Sequence, residues 1–245
     1  MILPRFLSHW SSDFLDRAEE AELMDLPEAD IEALYATVRQ FRLINPLFTR
    51  SRYLIGRYII EDALRRGLGT VRVADLGAGG GDIAVWLLKE GERRGLSVTV
   101  ICLDHDPRLV AYAKRELAAL PSLEYHCAGA EELERFAPVD YVFANHFLHH
   151  LSGAELPRMI RIVNNVSRYG FVLNDLRRSR LSYAGFTLFA ALFLRRSFAY
   201  NDGRLSIRKG FLPEELNQYA REAGVADHQL LELFPGRLAL IAHRR

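Results

Sequence analysis

The chain has 245 residues, 49% of them hydrophobic and 26% charged, with a formal net charge of +1. That length and balance suit one ordinary α/β domain with a small appendage, or two very small domains. The balance excludes a disordered tail, a collagen-like fibre and a disulfide-stapled miniprotein, and it gives no global field toward nucleic acid or acidic membrane. Residues 1–10 hold one arginine and no apolar core before a small-residue cleavage site, so no signal peptide is expected. From residue 11 to about 66 the pattern is helical: Ile31, Leu34, Tyr35, Val38, Phe41 and Leu43 recur at three- and four-residue steps. Asn45-Pro46 is read as a break, with a second helical run from near Ser51 to Gly67. Residues 1–66 are therefore read as a helical cap on a domain formed by 67–245.

From Thr70 onward, short apolar runs (71–76, 98–103, 123–127, 141–144 and 171–173) alternate with helical stretches. That alternation predicts parallel βαβ units in a doubly wound α/β sheet. Two closing runs, 230–234 and 238–242, are separated by Pro235-Gly236 and predict an antiparallel hairpin at the side of the sheet. Charge is segregated locally: residues 13–32 are acidic apart from Arg17, and 176–209 are basic apart from Asp202. The two segments can neutralise each other by packing. Inside the basic one lies the apolar stretch 181–194, shorter than the roughly 20 residues that span a bilayer. It reads as a buried helix, as the apolar wall of a pocket, or as a membrane-surface contact without a transmembrane span. Cys102 and Cys127 lie in apolar stretches and read as buried thiols of a reducing, cytoplasmic compartment, with no metal-ligand spacing around them.

The chemistry begins at Asp75-Leu76-Gly77-Ala78-Gly79-Gly80-Gly81-Asp82, where an apolar strand enters glycines and then a helical pattern. Glycines there allow a sharp turn and close backbone approach to a ligand at a helix N-terminus. A dinucleotide fingerprint requires glycine where Asp82 stands, and Asp75 suits a cationic ligand better than a pyrophosphate. The second strand ends in Asp104-His105-Asp106-Pro107. Asp104 can accept both hydroxyls of a ribose or can cap the following helix, and Asp106 is read as that helix's cap.

These motifs resemble the class I S-adenosylmethionine-dependent methyltransferases. The likeness rests on 75–81, on Leu103-Asp104, on the fourth-strand run 139–151 and on the fifth-strand run 169–175. It is nearest the small-molecule methyltransferases of ubiquinone and menaquinone type, and those associated with bacterial polyketide-type aromatics. The resemblance implies a Rossmann-like methyltransferase fold with a seven-stranded mixed sheet, and an apolar helical insert after the fifth strand at about 176–209. It implies S-adenosyl-L-methionine as cofactor, held by Asp75, Gly77, Ala78, Gly79, Gly81, Asp104, His105 and Asn145. The family usually carries an acid after the third strand to hold adenine. Here that run is Cys127-Ala128-Gly129-Ala130-Glu131, with glycine in the acid's place, which leaves Ala130 and Glu131 as the candidates for that contact.

Methyl transfer needs an acceptor held near the methyl carbon and a route for its proton. His146, His149 and Asp175 are the candidate catalytic groups, with His146, just beyond the fourth strand, the one expected to face the acceptor. His149 can equally be a core histidine and Asp175 an ion-pair partner, and the resemblance also allows catalysis by positioning with no dedicated base. His150, Arg177, Arg180 and Tyr183 are candidates for holding the acceptor, with the arginines suited to a phenolate or carboxylate. No Asn-Pro-Pro-Tyr run follows the fourth strand, and no basic patch interleaved with exposed aromatics suits nucleic acid. The expected acceptor is a small aromatic or lipid-like molecule of secondary metabolism, methylated at a phenol, quinol or carboxylate oxygen, with ring C-methylation as the alternative. A catalytically inactive scaffold and a nicotinamide- or flavin-dependent oxidoreductase are the other classes. The oxidoreductase is opposed by Asp75 and Asp82, and the scaffold reading rests on Gly129. The assembly is expected to be a monomer or a homodimer.

Overall fold

The computed structural model describes residues 14–194 and 196–244, so residues 1–10 lie outside it. Seven strands form one sheet: β1 (Thr70–Leu76), β2 (Ser97–Asp104), β3 (Leu123–Cys127), β4 (Val139–Asn145), β5 (Ser167–Leu176), β6 (Gln229–Leu233) and β7 (Arg237–His243). Their order is β3-β2-β1-β4-β5-β7-β6, with the first five parallel and β7 antiparallel to both neighbours. The mixed sheet and the closing hairpin are those expected from the alternating pattern. β1 lies between β2 and β4, so the chain leaves it in one direction and later returns on its other side. That reversal opens a crevice beyond the carboxyl ends of the strands. Register aligns the crevice edge: Leu76 pairs with Leu103 and Ala144, and Asn145 with Asn174.

Each face of the sheet is covered because parallel strands are apolar on both sides. On one face, Leu156, Ile160 and Val163 of a helix at Glu155–Val166 pack with Leu216 and Ala220 of another at Pro213–Glu222. On the other, Leu54, Ile55, Ile59 and Ile60 join Ala84, Leu87 and Val110. The first four belong to the helical run 51–65, in which Gly56–Ile60 forms one wider π turn. This run is built into the core layer. In chain order the helices are α1 (Ile31–Phe48), α2 (51–65), α3 (Asp82–Arg93), α4 (Pro107–Glu116), α5 (Glu155–Val166), α6 (Arg180–Phe193), α7 (Ala199–Lys209) and α8 (Pro213–Glu222).

Three details differ from the sequence expectation. α1 continues through Pro46 to Phe48, and the break comes at Arg50, whose φ is +59°. Pro46 lies in the last turn, where its missing N–H removes a single ladder bond, and the Thr49 amide still reaches the Asn45 carbonyl at 3.1 Å. Residues 14–30 form a strap with one short turn, Leu23–Asp25, instead of a helix. Its polar groups are satisfied by the rest of the molecule: the Leu23 and Met24 amides donate to Asp202, and Arg108 donates to the Met24 and Leu26 carbonyls. Cys102 is buried as expected, but Cys127 is exposed because it ends β3 at the sheet rim.

The acidic strap does meet the basic segment. Glu20 lies 3.5 Å from Arg208 and Glu22 lies 3.7 Å from Lys209.

Candidate functional site

A cavity of about 730 Å³ occupies the crevice. One end is the glycine loop. Gly77, Gly79 and Gly81 have φ of +66°, +52° and +72°, the left-handed region that other residues enter at a cost. This turn lets the Gly77 and Ala78 amides donate to the Leu103 carbonyl at 2.9 and 3.1 Å, locking β1's exit to β2's end. Asp104 joins the two loops: its carboxylate accepts from the Gly79 amide at 2.8 Å and from the Asp106 amide at 2.9 Å. Each oxygen keeps a further lone pair for a ligand. Asp106 caps α4 by accepting from the Arg108 amide.

Asp75 is fully enclosed at the floor of this end. Burial pushes its carboxyl well above the usual carboxylate range, and the Asp82 and Asp104 carboxylates push it further. Burial also raises Asp104 and Asp82, the latter partly offset by two hydrogen bonds from the Asn45 amide at 3.1 Å. Three carboxylates against a narrow backbone loop make an environment that favours a cation.

The opposite wall carries a buried acid–imidazole pair. Asp175, at the end of β5, accepts from His149 Nδ1 at 2.7 Å and from the amides of Phe147, His149 and Leu176 at 3.1, 3.2 and 2.7 Å. Burial opposes its charge, but the facing imidazole and Arg237 hold it far below the carboxylate range. His149 Nε2 has no hydrogen-bond partner and points toward Glu22 Oε1 at 3.4 Å. Burial would lower the His149 pKa, yet the flanking Asp175 and Glu22 carboxylates raise it to about 9. Burial likewise opposes the charge of Glu22, while His149, His150 and Lys209 bring its pKa down to about 2. Glu22 also accepts from the Ser206 hydroxyl at 2.8 Å.

The strap that delivers Glu22 is pinned by Arg17, which donates to the His149 and Leu151 carbonyls, each at 3.0 Å. Glu22, His149 and His150 each offer a donor atom within 4.8 Å of the others, a set a divalent cation could use. In this structure Lys209 and the His149 imidazolium supply the positive charge there.

His146 stands between these two ends. Its φ of +58° turns the chain sharply after β4. Its Nε2 accepts from Arg237 at 2.7 Å, which assigns the ring proton to Nδ1. Burial and the Arg237 cation push its pKa well below the usual histidine value, so the ring is neutral. Arg237 itself is buried and held by Asn145 Oδ1 at 3.2 Å, with burial lowering its pKa to about 10.

Most of the residues expected from sequence meet at this cavity: Asp75, Gly77, Ala78, Gly79, Asp104, His105, Asn145, His146, His149, His150 and Arg177 all line it. Asp175 lies one layer behind His149. Gly81 sits under the loop, where its Cα faces the Tyr125 hydroxyl. Arg180 and Tyr183 do not line the cavity, and the Tyr183 hydroxyl is engaged by Arg204. Arg177 is paired with Glu232 at 2.7 Å. Ala130 and Glu131 lie outside the cavity wall. The Glu131 carboxylate occupies the space beside Gly129, 2.1 Å from where a Cβ on that glycine would stand. Sequence reasoning missed Glu22, Asp25 and Arg237. The first two lie in a run that reads as a solvated acidic face, and Arg237 follows a turn in which nothing local marks burial.

Residues 73–170 match the family model described as a methyltransferase domain. No curated protein sequence matches the chain. Among solved structures, the plantazolicin methyltransferase BamL, in complex with a triazolic desmethylPZN analog and S-adenosylhomocysteine, is similar with a TM-score of 0.64 and 14% identity, over 91% of this chain and 92% of that one. An O-methyltransferase family protein from Burkholderia thailandensis is similar with a TM-score of 0.61 and 16% identity, over 97% of this chain and 68% of that one. Magnesium protoporphyrin IX methyltransferase from Synechocystis, with bound S-adenosylhomocysteine, has a TM-score of 0.52 and 13% identity over 98% of this chain and 94% of that one. The sheet order and the glycine loop after β1 give this chain the Rossmann-like fold of the methyltransferases it resembles, and residues 73–170 within it match a methyltransferase domain.

Proposed function

We propose that the protein is an S-adenosylmethionine-dependent methyltransferase acting on an oxygen of a small aromatic or lipid-like acceptor, with His149 as general base and Asp175 as its positioning partner. The observation that carries this reading is that a single cavity is bounded by the Asp75–Asp104 loop end and by His149, whose Nε2 makes no hydrogen bond and faces Glu22 at 3.4 Å. The loop end fits the cofactor. Asp75 is buried without a cation beside two other carboxylates, and the sulfonium and α-ammonium charges of S-adenosylmethionine would relieve that repulsion. Asp104 retains lone pairs for a ribose diol. Glu131 lies outside the cavity wall, and its carboxylate, now beside Gly129, would turn inward to take the part of the acid that the third strand lacks.

When bound, S-adenosylmethionine supplies an electrophilic methyl group on a sulfonium. The chain's own residues position the acceptor and manage its proton. Asp175 fixes the proton of neutral His149 on Nδ1, which leaves the Nε2 lone pair directed at Glu22 on the cavity wall. An acceptor hydroxyl reaching Nε2 displaces the Glu22 carboxylate and transfers its proton there as the oxygen takes the methyl group. Asp175 then stabilises the imidazolium. His146 cannot serve the same purpose through Nε2, because Arg237 occupies it; its Nδ1–H and Arg237 are suited to donating to an acceptor oxygen. Phe41, Phe48, Leu181, Phe186 and Phe234 line the outer cavity and favour an apolar acceptor body.

The test is transfer of isotopic label from S-adenosylmethionine to a panel of phenols, quinols and aromatic carboxylates. The reading requires an oxygen-methylated product whose formation His149→Ala removes. A labelled ring carbon, or label transfer unaffected by that substitution, contradicts it.

A further inference from the structure

Helix α6 has one charged residue, Arg180, and three hydroxyl residues, Ser182, Tyr183 and Thr187, with the rest apolar or glycine, yet among the described residues Ala190 is its one buried position. A helix this rich in exposed apolar side chains is ordinarily covered by protein or lipid. Leu181, Leu188 and Leu192, at steps of seven and four residues, form an outer stripe that is 80%, 66% and 60% exposed. α1 packs on α6 through Phe48 and Phe189, whose ring centroids are 4.7 Å apart, and adds exposed Leu43 and Leu47. The β6–β7 turn meets the break after α1 and the start of α6: Arg50 Nε donates to the Phe234 carbonyl at 2.9 Å, and Ser182 Oγ lies against Gly236. Phe234 is 78% exposed. Leu181 and Phe234 also line the cavity, so the exposed apolar surface and the cavity mouth are continuous.

The charge around this surface has one sign. Residues 33–60 and 176–201 contain no Asp or Glu. Arg50, Arg180 and Arg196 are exposed there, and among the described residues none of them forms an ion pair. Glu232, the acid at the mouth, is neutralised by Arg177. Pairing this face with a second copy would bring like charges together across a two-fold axis. An anionic surface has the complementary charge.

We propose that the α1–α6 face docks on an anionic lipid bilayer and that the acceptor is an amphiphile, drawn from that bilayer through the mouth at Leu181 and Phe234 with its reactive head toward His149. The leucines and Phe193 enter the acyl boundary, while the arginines stay among the headgroups. Only the acceptor's route rests on the methyltransferase reading. Docking is measured without methyl transfer, so the two can fail separately.

The experiment is flotation of the full chain with vesicles of phosphatidylcholine alone and of phosphatidylcholine mixed with phosphatidylserine. The protein should float with the mixed vesicles only. Leu188→Asp with Leu192→Asp should abolish flotation while the melting temperature and S-adenosylhomocysteine affinity are unchanged. Arg180→Glu with Arg196→Glu should weaken it by at least about fivefold per arginine. Wild-type protein that stays out of both vesicle layers overturns the proposal, as does a dimer that the leucine pair of substitutions dissolves in the absence of any vesicle binding.

Discussion

His149 is clamped between two carboxylates from distant parts of the chain, Asp175 Oδ1 at 2.7 Å from Nδ1 and Glu22 Oε1 at 3.4 Å from Nε2. The two contacts have different consequences. Asp175 is rigidly held by three backbone amides and sets the tautomer, whereas Glu22 arrives on a strap and must move for an acceptor to approach. His149→Ala should lower kcat by about 10²–10⁴, the range for a lost general base, with S-adenosylhomocysteine affinity unchanged. Asp175→Asn should lower kcat comparably by allowing the wrong tautomer. Titration calorimetry beside steady-state kinetics separates these effects from misfolding.

The His149 pKa of about 9 fixes the pH dependence. A base must be deprotonated to accept, so kcat/KM should rise with pH with unit slope up to about 9 and then level. Glu22 is one of the charges that raise this pKa. Glu22→Gln should therefore move the rising limb to lower pH, and activity near neutrality should increase if the strap stays in place. The pH–rate profile of the two proteins reads the shift. A limb that does not move, or moves upward, contradicts the arrangement.

Gly129 and Glu131 share one volume, since a Cβ at 129 would lie 2.1 Å from the Glu131 carboxylate. Glu131→Ala should weaken S-adenosylhomocysteine binding by about tenfold, the worth of a hydrogen bond to a charged group. Gly129→Asp with Glu131→Ala should recover most of the loss, because the acid then starts from the vacated space. Competitive binding measurements on the two variants test the exchange.

Gly81 combines a φ of +72° with a Cα whose Cβ would stand 1.6 Å from the Tyr125 hydroxyl. Gly81→Ala should destabilise the fold by about 3 kcal/mol or more, from strain together with displacement of a buried tyrosine. Differential scanning calorimetry should record a lower Tm. A neutral substitution would mean that the loop relaxes freely, against the tight β1-to-α3 turn described.

The parts of the site readable in sequence are those that one strand–turn–helix unit fixes locally. Gly77, Gly79 and Asp104 follow apolar runs whose length and alternation mark strands, and a strand end in a parallel sheet faces the crevice. The strap could not be read this way. Its backbone bonds go to Asp202, Arg108 and Arg208 far along the chain, and its acidic run carries no period that distinguishes buried Glu22 from exposed Glu19. Tyr183 follows the cavity-lining Ser182 and stands one helical turn from the cavity-lining Phe186, yet it turns instead to Arg204. That choice depends on how α6 packs on α7, which local pattern does not encode. Asn45-Pro46 reads as a break, but a proline in a final turn costs too little to end a helix held by buried Ile44 and half-buried Phe48.

The most direct measurement is calorimetric titration of the protein with S-adenosylhomocysteine, repeated on Asp104→Ala. Asp104 bridges the Gly79 and Asp106 amides and is the carboxylate proposed to hold the ribose, so its loss should weaken binding by at least about a hundredfold. Saturable binding to the wild type that the substitution removes is the result this account predicts. No binding to the wild type at millimolar ligand, or equal binding to both proteins, would contradict it.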